Sequence, residues 1–341
     1  MAVINSIIMK IKAHAIRKSG GKAEPFSYEK AIGENEVLVR IKYCSITRGD
    51  IQIIDNDWGD TKFPVVPGHE IIGIVEDSGP KVTSLKSGDR VGIGYQFGAC
   101  FDCEFCKEGN EQFCPNQKVV AVDCYGGLAE HIVVDERFAF KIPEGLDSTA
   151  AVPLMSSGLT VYSAIVRANL PKNCTTAVLG IGGLGQLAIQ FLHKMGHKVV
   201  AFSHSPGKRE IIEDLGAEYA ASSNLGSSTV HYKKLDFILS TLNVDFDLNT
   251  HLKMLKPQGK FCFVAQPLNK LPLTAGLLYD YAQRTIYGNY TGSRKDMVEM
   301  LDFSVKHNIA VPAEVLPFSK INEVIEIVRS GKVQTKIVLE N

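Results

Sequence analysis

Four cysteines are grouped in the first third of the chain. They form a Cys-x-x-Cys-x-x-Cys run with a fourth thiol one short loop later: Cys100, Cys103, Cys106 and Cys114. Four thiolates with no open position are typical of a closed tetrahedral zinc site, in which the metal stabilises a lobe too small for a hydrophobic core. The alternatives are chance clustering and an iron–sulfur cluster, for which the sequence offers no electron-carrier context. We predict one structural zinc in a lobe of about residues 95–116.

A glycine-rich turn follows the apolar run TTAVL and precedes an amphipathic segment. In such a strand–turn–helix unit, glycines permit a tight turn, let the backbone approach a pyrophosphate and let the helix pack on the strand. The helix N-terminus adds free N–H groups and the positive end of its dipole. An ordinary glycine turn is the alternative to a dinucleotide site. The predicted cofactor contacts are Gly180, Gly182, Gly183, Leu184 and Gly185.

The end of the next strand, HKVVAFS, indicates which dinucleotide binds. Enzymes that use NAD place an acid here on the ribose 2′-hydroxyl. In this chain Ser203 occupies that position, and Ser205, Lys208 and Arg209 follow closely. Hydroxyls and cations suit a 2′-phosphate, which an acid would repel. We therefore predict NADP(H), the alternative being that Lys208 and Arg209 are only the solvated start of a helix.

Two different patterns divide the chain into the elements that must position these groups. Up to about residue 139, short alternating apolar runs such as VLVRIKY and EIIGIVED are broken by glycine and proline, which predicts an antiparallel β domain. From about residue 151, strands alternate with amphipathic helices, which predicts a parallel doubly wound sheet. Two helical segments and a strand, VQTKIVLEN, close the chain. We expect this strand, without a parallel partner of its own, to return to the first domain.

The predicted domains are residues 1–152 with 290–341, and residues 153–289. A chain of 341 residues with 45% hydrophobic content can fill two such cores. The net charge is +0 and the basic residues are interspersed with acids, so we expect a small-molecule substrate and neither a nucleic-acid nor a membrane partner. The opening MAVINSIIMK is too short an apolar patch for a signal peptide or a membrane span, which predicts a cytoplasmic protein.

Taken together, these motifs resemble the zinc-dependent alcohol dehydrogenases of the medium-chain dehydrogenase/reductase superfamily. The four-cysteine lobe, the PGHE of residues 67–70 and the glycine turn carry this resemblance. The NDWG of residues 56–59 and the SHSPGKRE after the second cofactor strand are similar to the cinnamyl alcohol dehydrogenase branch. The resemblance spans nearly the whole chain. It implies an α/β fold, with a GroES-like β-rich catalytic domain and a Rossmann cofactor domain, and a homodimer formed through the cofactor-domain sheet.

The resemblance fails at the catalytic zinc. In that family the zinc is held by a cysteine, the histidine of GHE and a second cysteine. The matching positions here are Thr47, His69 and Ser156, with Glu70 after the histidine. A neutral hydroxyl is a poor zinc ligand compared with a thiolate. We therefore interpret these four positions as vestigial, with Cys44 either a substitute ligand or, as is commoner, a buried free thiol.

The family's proton relay is also missing. Gly49 and Gln52 stand where the family has a hydroxyl and a histidine. His69 is then either an inherited relic or a group recruited for proton transfer.

Three residues complete the candidate site. Tyr95 is the last residue of the run DRVGIGY and falls at a family pocket position, so its phenol could donate a hydrogen bond to a substrate oxygen. The alternative is that Tyr95 is an inert pocket aromatic. Trp58 falls at another pocket position, where we expect an apolar wall. We expect Asp50 to orient His69 or the strand end. The candidate catalytic residues are thus His69, Tyr95 and Asp50.

The missing zinc ligands bear on the reaction. Without a Lewis acid, reduction of a simple aldehyde loses the stabilisation that zinc gives to the developing alkoxide. Hydride addition to a conjugated carbonyl or a quinone needs less help, because the charge spreads into an enolate. We expect NADPH-dependent reduction of a small enal, enone or quinone. One alternative is a zinc-type alcohol dehydrogenase or aldehyde reductase with weakly held zinc, and another is a non-catalytic NADPH-binding protein.

Overall fold

The computed structural model describes residues 8–222, 233–267, 269–331 and 335–341. Its strands, in chain order, are β1 Ile8–Ile16, β2 Ala23–Ala31, β3 Glu36–Ser45, β4 Glu70–Ser78, β5 Arg90–Ile93, β6 Gln96–Gly98, β7 Lys118–Val119, β8 His131–Asp135, β9 Phe140–Lys141, β10 Thr175–Leu179, β11 Lys198–Ser203, β12 Ala217–Ala221, β13 Leu235–Ser240, β14 Leu255–Phe263, β15 Thr285–Gly288, β16 Ala313–Pro317 and β17 Lys336–Glu340.

The α-helices of the same residues are α1 Arg48–Asp55, α2 Glu104–Lys107, α3 Ser148–Ala151, α4 Ser157–Ala168, α5 Gly183–Lys194, α6 Arg209–Asp214, α7 Leu248–Met254, α8 Gly276–Tyr279, α9 Arg294–His307 and α10 Ile321–Arg329. Within the described ranges no single helix is long and apolar enough to cross a membrane, and one bent pair of short helices reaches that length and composition only when both are counted together.

Contacts divide the chain into two compact units. The first holds the described residues up to Ser156, together with Ser293–Lys306 and the chain from Ala310 onward. The second holds Ser157–Gly292 and His307–Ile309. The sequence predicts domain boundaries after residues 152 and 289. The contacts change from the first unit to the second after Ser156 and back to the first after Gly292, which is four and three residues later. The predicted domain boundaries stay a prediction.

The first unit is built on a sheet with strand order β16-β17-β3-β4-β5-β9, in which β8 also pairs with β3. The pairs β3–β4, β4–β5 and β3–β8 are antiparallel, as the alternating apolar pattern predicts. Strand β17 pairs antiparallel with β3, so the expected return of the chain end to this domain is confirmed. The expectation that β17 lacks a parallel partner is wrong, because it pairs in parallel with β16. Residues before the helix α10 supply that strand.

The second unit contains a six-stranded sheet of order β12-β11-β10-β13-β14-β15, and all of its pairs are parallel. Numbered within the unit, this order is 3-2-1-4-5-6, the doubly wound arrangement that the sequence predicts. Strands β10, β11 and β13 are buried on both faces, which explains their nearly continuous apolar runs. The strand order reverses between β10 and β13, and ligands of such sheets bind at this switch point.

A buried ion pair fastens the last strand of the chain to the first unit. The Lys336 ammonium in β17 lies 2.7 Å from a Glu70 carboxylate oxygen at the start of β4, and the Ser45 hydroxyl at the end of β3 donates to the same carboxylate. The Glu70 side chain is fully buried and that of Lys336 is 10% exposed. Glu70 therefore joins three strands.

Removing the cation alone should leave a buried, uncompensated carboxylate. We expect Lys336→Met to lower the free energy of unfolding by roughly 3 kcal/mol, measured by urea denaturation followed by circular dichroism. The double variant Glu70→Gln/Lys336→Met should recover more than half of that loss. Lys320→Met is the control, because Lys320 pairs with Glu323 at the surface and its loss should change stability by less than about 0.5 kcal/mol. Equal effects of the two lysine substitutions would contradict this role.

Candidate active site and metal centre

The four cysteines predicted to bind zinc converge in the structure. All four sulfur atoms lie within 4.8 Å of one another, with Cys100 Sγ 3.5 Å from Cys114 Sγ and 4.0 Å from Cys106 Sγ. Four sulfurs at about 2.3 Å from a tetrahedral zinc would be about 3.8 Å apart, so the donor set fits that metal. The backbone N–H groups of Asp102 and Cys103 donate to the Cys100 sulfur and lower the pKa of its thiol to about 6. Such donors stabilise a thiolate ligand.

Side chains distant in sequence hold this lobe against the rest of the first unit. Phe101 lies between the first two cysteines and has a φ of 56°. The guanidinium carbon of Arg137 lies over the Phe101 ring, 3.4 Å from the ring centroid. The Arg294 guanidinium is 5.6 Å from the same ring and pairs at 3.1 Å with the buried Glu111. These contacts could not be predicted from the sequence, because Arg294 lies far along the chain from the cysteines.

The glycine turn has the geometry that a pyrophosphate requires. Gly180 has a φ of +85°, and a Cβ on Gly185 would collide with the Gly180 carbonyl oxygen. Gly182 caps α5, and no heavy atom lies within 4 Å of the point a Cβ would occupy there, so a ligand can approach the backbone. The Thr241 hydroxyl holds the turn by donating to the carbonyls of Leu179 and Gly180, at 3.1 and 2.8 Å. Sequence reasoning missed Thr241, which comes from the neighbouring strand end.

The remaining two predicted cofactor positions, Gly183 and Leu184, form the first turn of α5. Their backbone N–H groups belong to the helix N-terminus, where carbonyl partners within the helix are lacking and anions bind readily.

The residues predicted to select the 2′-phosphate lie beside this turn. Ser203, at the end of β11, accepts a hydrogen bond from the Ser205 N–H at 3.1 Å. The Lys208 ammonium donates to the Ile181 carbonyl at 2.8 Å, which brings its charge to the glycine turn. Burial lowers the pKa of Lys208. Arg209 instead forms an ion pair within its own helix α6. Lys208 is therefore the cation placed for a phosphate, and the residues of the turn fit a 2′-phosphorylated dinucleotide.

Thr47, Asp50 and His69 form a closed hydrogen-bonded set, here called the triad. Thr47 caps α1 and Asp50 is its third residue, so the backbone N–H and the hydroxyl of Thr47 donate to Asp50 Oδ2 at 2.8 and 2.9 Å. Asp50 Oδ1 accepts from the Gly68 N–H at 2.8 Å and from His69 Nδ1 at 2.9 Å. His69 Nε2 lies 3.4 Å from the Thr47 hydroxyl oxygen and closes the set.

The electrostatics of the triad follow from its burial and its donors. Asp50 is fully buried and His69 is 5% exposed. Burial alone would raise the pKa of Asp50, but His69 and the backbone donors lower it below its usual value. Burial alone would lower the pKa of His69, but the Asp50 carboxylate raises it above its usual value. The geometry thus favours a charged pair.

Strand β3 ends at Ser45, and the segment Thr47–Gln52 forms the cap and first turns of α1, a helix that the sequence analysis did not predict. The pattern Thr-x-x-Asp is a capping-box signal that could have revealed it. The Cys44 thiol is buried against Gly68 and Gly127, and burial raises its pKa well above the usual value.

The donors present do not fit a catalytic zinc. Within the described residues, the four-cysteine set is the one group of three or more His, Cys, Asp or Glu side chains whose ligand atoms lie within 4.8 Å of one another. The Glu70 carboxylate already forms an ion pair with Lys336, and the Thr47 hydroxyl already donates a hydrogen bond to Asp50. Ser156, which stands at the position of the family's second cysteine ligand, follows the short 3-10 helix Val152–Met155 and offers only a hydroxyl.

The two predicted pocket residues occupy different settings. Tyr95, predicted to end the strand DRVGIGY, lies instead in the short link between β5, which ends at Ile93, and β6. Its ring packs edge to face on His69 with 5.7 Å between centroids. Trp58 lies in the loop after α1 and is 45% exposed. Tyr95 is thus brought to the triad, whereas Trp58 stays a predicted pocket wall.

The two units match two family models. Residues 33–144 match the alcohol dehydrogenase GroES-like domain, and residues 183–306 match the zinc-binding dehydrogenase model. The aldehyde reductase AdhA of Synechocystis is 37% identical over 333 residues, with 97% of this chain and 99% of that protein covered. These matches confirm the predicted fold class, a GroES-like domain with a Rossmann-type parallel sheet.

Solved structures agree with this assignment. A cinnamyl alcohol dehydrogenase from Sorghum bicolor is similar with a TM-score of 0.92 and 32% identity, covering 97% of this chain and 98% of that one. The enzyme of the same name from Helicobacter pylori, solved with NADP(H), gives 0.91 and 29%, covering 98% and 99%. The chain therefore belongs to the zinc-binding dehydrogenase family of medium-chain oxidoreductases, in the branch of the cinnamyl alcohol dehydrogenases.

Proposed function

We propose that this chain is an NADPH-dependent reductase of a small conjugated carbonyl compound, an enal, enone or quinone, with a structural zinc and no catalytic zinc. The observation that carries the proposal is the triad. At the positions where the family resemblance implies zinc ligands, Thr47 is hydrogen-bonded to Asp50, and Ser156 is a hydroxyl. A hydroxyl competes poorly with water for zinc.

The cofactor half of the proposal rests on the second unit. The glycine turn would hold the pyrophosphate, and Ser203, Ser205 and Lys208 would hold the 2′-phosphate. The similar Helicobacter pylori structure contains NADP(H), which supports the same choice here. Bound NADPH would supply the hydride.

The substrate half rests on the loss of the Lewis acid. Zinc supplies several kcal/mol of stabilisation to an alkoxide, whereas a conjugated acceptor spreads the charge over an enolate. The polar groups near the substrate oxygen are proposed to be His69, held by Asp50, and the Tyr95 phenol, and only one of the two serves as the donor. Trp58 is proposed as an apolar wall of the pocket. The relative from Synechocystis is named an aldehyde reductase, so aldehyde reduction is a second candidate reaction for this chain. Turnover of either kind would exclude a non-catalytic NADPH-binding protein.

We also propose a cytoplasmic homodimer. Strand β15 is an edge of the parallel sheet in the second unit, with unused pairing positions along one side. Tyr279 and Tyr281 lie just before it and are 75% and 98% exposed. Pairing of two β15 strands would cover these aromatic side chains. None of the eight cysteines, all of which lie within the described residues, forms a disulfide, which suits a reducing compartment.

Metal content tests the zinc assignment. We expect one tightly held zinc per chain by elemental mass spectrometry, lost in Cys106→Ser, which breaks the four-cysteine set. The double variant Thr47→Cys/Ser156→Cys should raise the content towards two, because it restores both thiolates beside His69. Two equivalents in the unaltered protein, resistant to chelation, would show that the hydroxyl positions do bind zinc.

Cofactor titration tests the second unit. Binding should favour NADPH over NADH by at least about tenfold, or 1.4 kcal/mol, because the 2′-phosphate gains charge-assisted bonds. Lys208→Ala should remove most of this preference, and Ser203→Asp should shift it towards NADH. Arg209→Ala is the matched control and should change little, since Arg209 pairs within α6. Equal affinities of the unaltered protein, measured by fluorescence, would refute the assignment.

Substrate comparison tests the chemistry. With NADPH, trans-2-hexenal should be reduced faster than hexanal, and its product should be the saturated aldehyde, identified by mass and NMR. Ethanol and benzyl alcohol should be poor substrates for oxidation, because no metal acidifies the hydroxyl. Hexanal consumed as fast as hexenal, with the double bond of the hexenal product intact, would restore ordinary carbonyl reduction.

A further inference from the structure

The hydrogen bonds of the triad determine where its protons lie. The Asp50 carboxylate accepts four donors: two from Thr47, one from the Gly68 N–H and one from His69 Nδ1. A carboxylate has about four acceptor positions, so all are used. The single hydroxyl proton of Thr47 is directed to Asp50 at 2.9 Å and cannot also serve His69 Nε2 at 3.4 Å. A bare Nε2 would therefore face an oxygen lone pair, whereas an N–H there satisfies both atoms.

The surrounding charges lead to the same protonation state. The buried groups that face His69 are Asp50 on α1, Glu70 on β4, Lys336 on β17 and the Cys44 thiol on β3, with the Tyr95 ring packed on its edge. Glu70 is paired with Lys336. A neutral His69 would leave the Asp50 charge without a buried counter-charge, which is costly, whereas an imidazolium neutralises the site.

Space is left on the side of the His69 ring that faces Gly49. A Cβ on Gly49 would meet the Thr47 hydroxyl oxygen, at 3.4 Å, and His69 Cε1, the ring carbon bonded to Nε2, at 3.5 Å. Apart from α1 itself, no other group of the described residues lies within 4 Å of that point, and both Thr47 and Gly49 are partly exposed. The family pattern has a hydroxyl residue here, and its replacement by glycine leaves room for an oxygen atom.

We propose that the substrate carbonyl oxygen accepts a hydrogen bond from His69 Nε2, and that the His69 imidazolium takes the place of zinc as the electrophile and proton donor. This assignment rests on the proposed reductase function and names the catalytic group within it. Asp50 is then a positioning residue, which fixes the imidazole through Nδ1. Tyr95 is a wall of the site and not its acid.

The proton and electron balance is simple. As the hydride, with its two electrons, adds to a substrate carbon, an electron pair of the conjugated carbonyl moves onto the oxygen. The Nε2–H bond breaks and an O–H bond forms, which gives an enol when the hydride adds at the β-carbon. His69 is left neutral with Nδ1–H still bonded to Asp50. A proton from water restores Nε2–H after the product leaves, and the enol becomes the saturated carbonyl compound in solution.

The protonation state can be tested without any substrate. In the full-length protein with ¹⁵N-labelled histidine, NMR should show both ring nitrogens of His69 protonated at pH 7. Because Asp50 raises the pKa of His69, the Nε2 proton should be lost only above the usual histidine range, near 6.5. His69→Gln identifies the signal, and Thr47→Ser, which should shift it slightly, identifies it independently. A neutral His69 with a bare Nε2 at pH 6 to 7 would overturn the proposal, whatever the enzyme reduces.

Turnover separates the donor from its neighbours. With NADPH and trans-2-hexenal, His69→Gln should lower kcat by about a hundredfold, within the usual range for loss of a general acid. Thr47→Val should lower kcat about tenfold, and Thr47→Ser, which keeps the hydroxyl and the helix cap, should recover it to within about threefold. Tyr95→Phe should lower kcat less than Thr47→Val does, because its ring stays in the wall of the site. NADPH affinity should be unchanged throughout, as a check that each variant is folded.

Two results would overturn the assignment in this assay: kcat retained in His69→Gln, or a tenfold loss in Tyr95→Phe, which would make the phenol the donor. Failure of the unaltered enzyme to reduce hexenal, quinones or hexanal would refute the proposed function alone, since the NMR measurement still decides the state of His69.

Discussion

The candidate active site depends on one buried charge, the carboxylate of Asp50. A fully buried anion must be hydrogen-bonded and balanced, and Asp50 draws its four donors from two places in the chain. It fixes the start of α1 through Thr47, the PGHE loop through Gly68, and the imidazole of His69. Any change at Asp50 would therefore alter backbone and side-chain positions together. The position of His69 follows from this constraint and requires no metal.

A second buried pair gives Glu70 a structural role. Its carboxylate binds Lys336 and Ser45, so it joins β4 to β17 and β3. The four positions proposed to be vestigial therefore do not act as one set. Glu70 holds strands together, whereas His69 and Thr47 belong to the triad. The four-cysteine lobe is independent of both, since it is held by Arg137 and Arg294 through Phe101 and Glu111.

The sequence predicted best where chemistry and spacing are local. The cysteine run and the glycine turn each lie within a short segment, and so their geometry follows from residue type and spacing. Contacts between distant segments could not be found this way: Lys336 with Glu70, Thr241 with the glycine turn, and Arg294 with the cysteine lobe. The helix α1 was missed for a different reason, because its capping signal at Thr47 and Asp50 is local but was not used.

The triad also favours one direction of reaction. Zinc stabilises an alkoxide in both directions, because it gains or loses no proton. An imidazolium starts with the proton that reduction consumes, whereas alcohol oxidation would require a neutral His69 to accept a proton from an alcohol. The Asp50 carboxylate opposes that neutral state at rest, since it would be left without its counter-charge. In the proposed mechanism, a charged imidazole in place of a metal would therefore suit a reductase whose product charge is already spread by conjugation, and it would make the reverse oxidation of a simple alcohol slow.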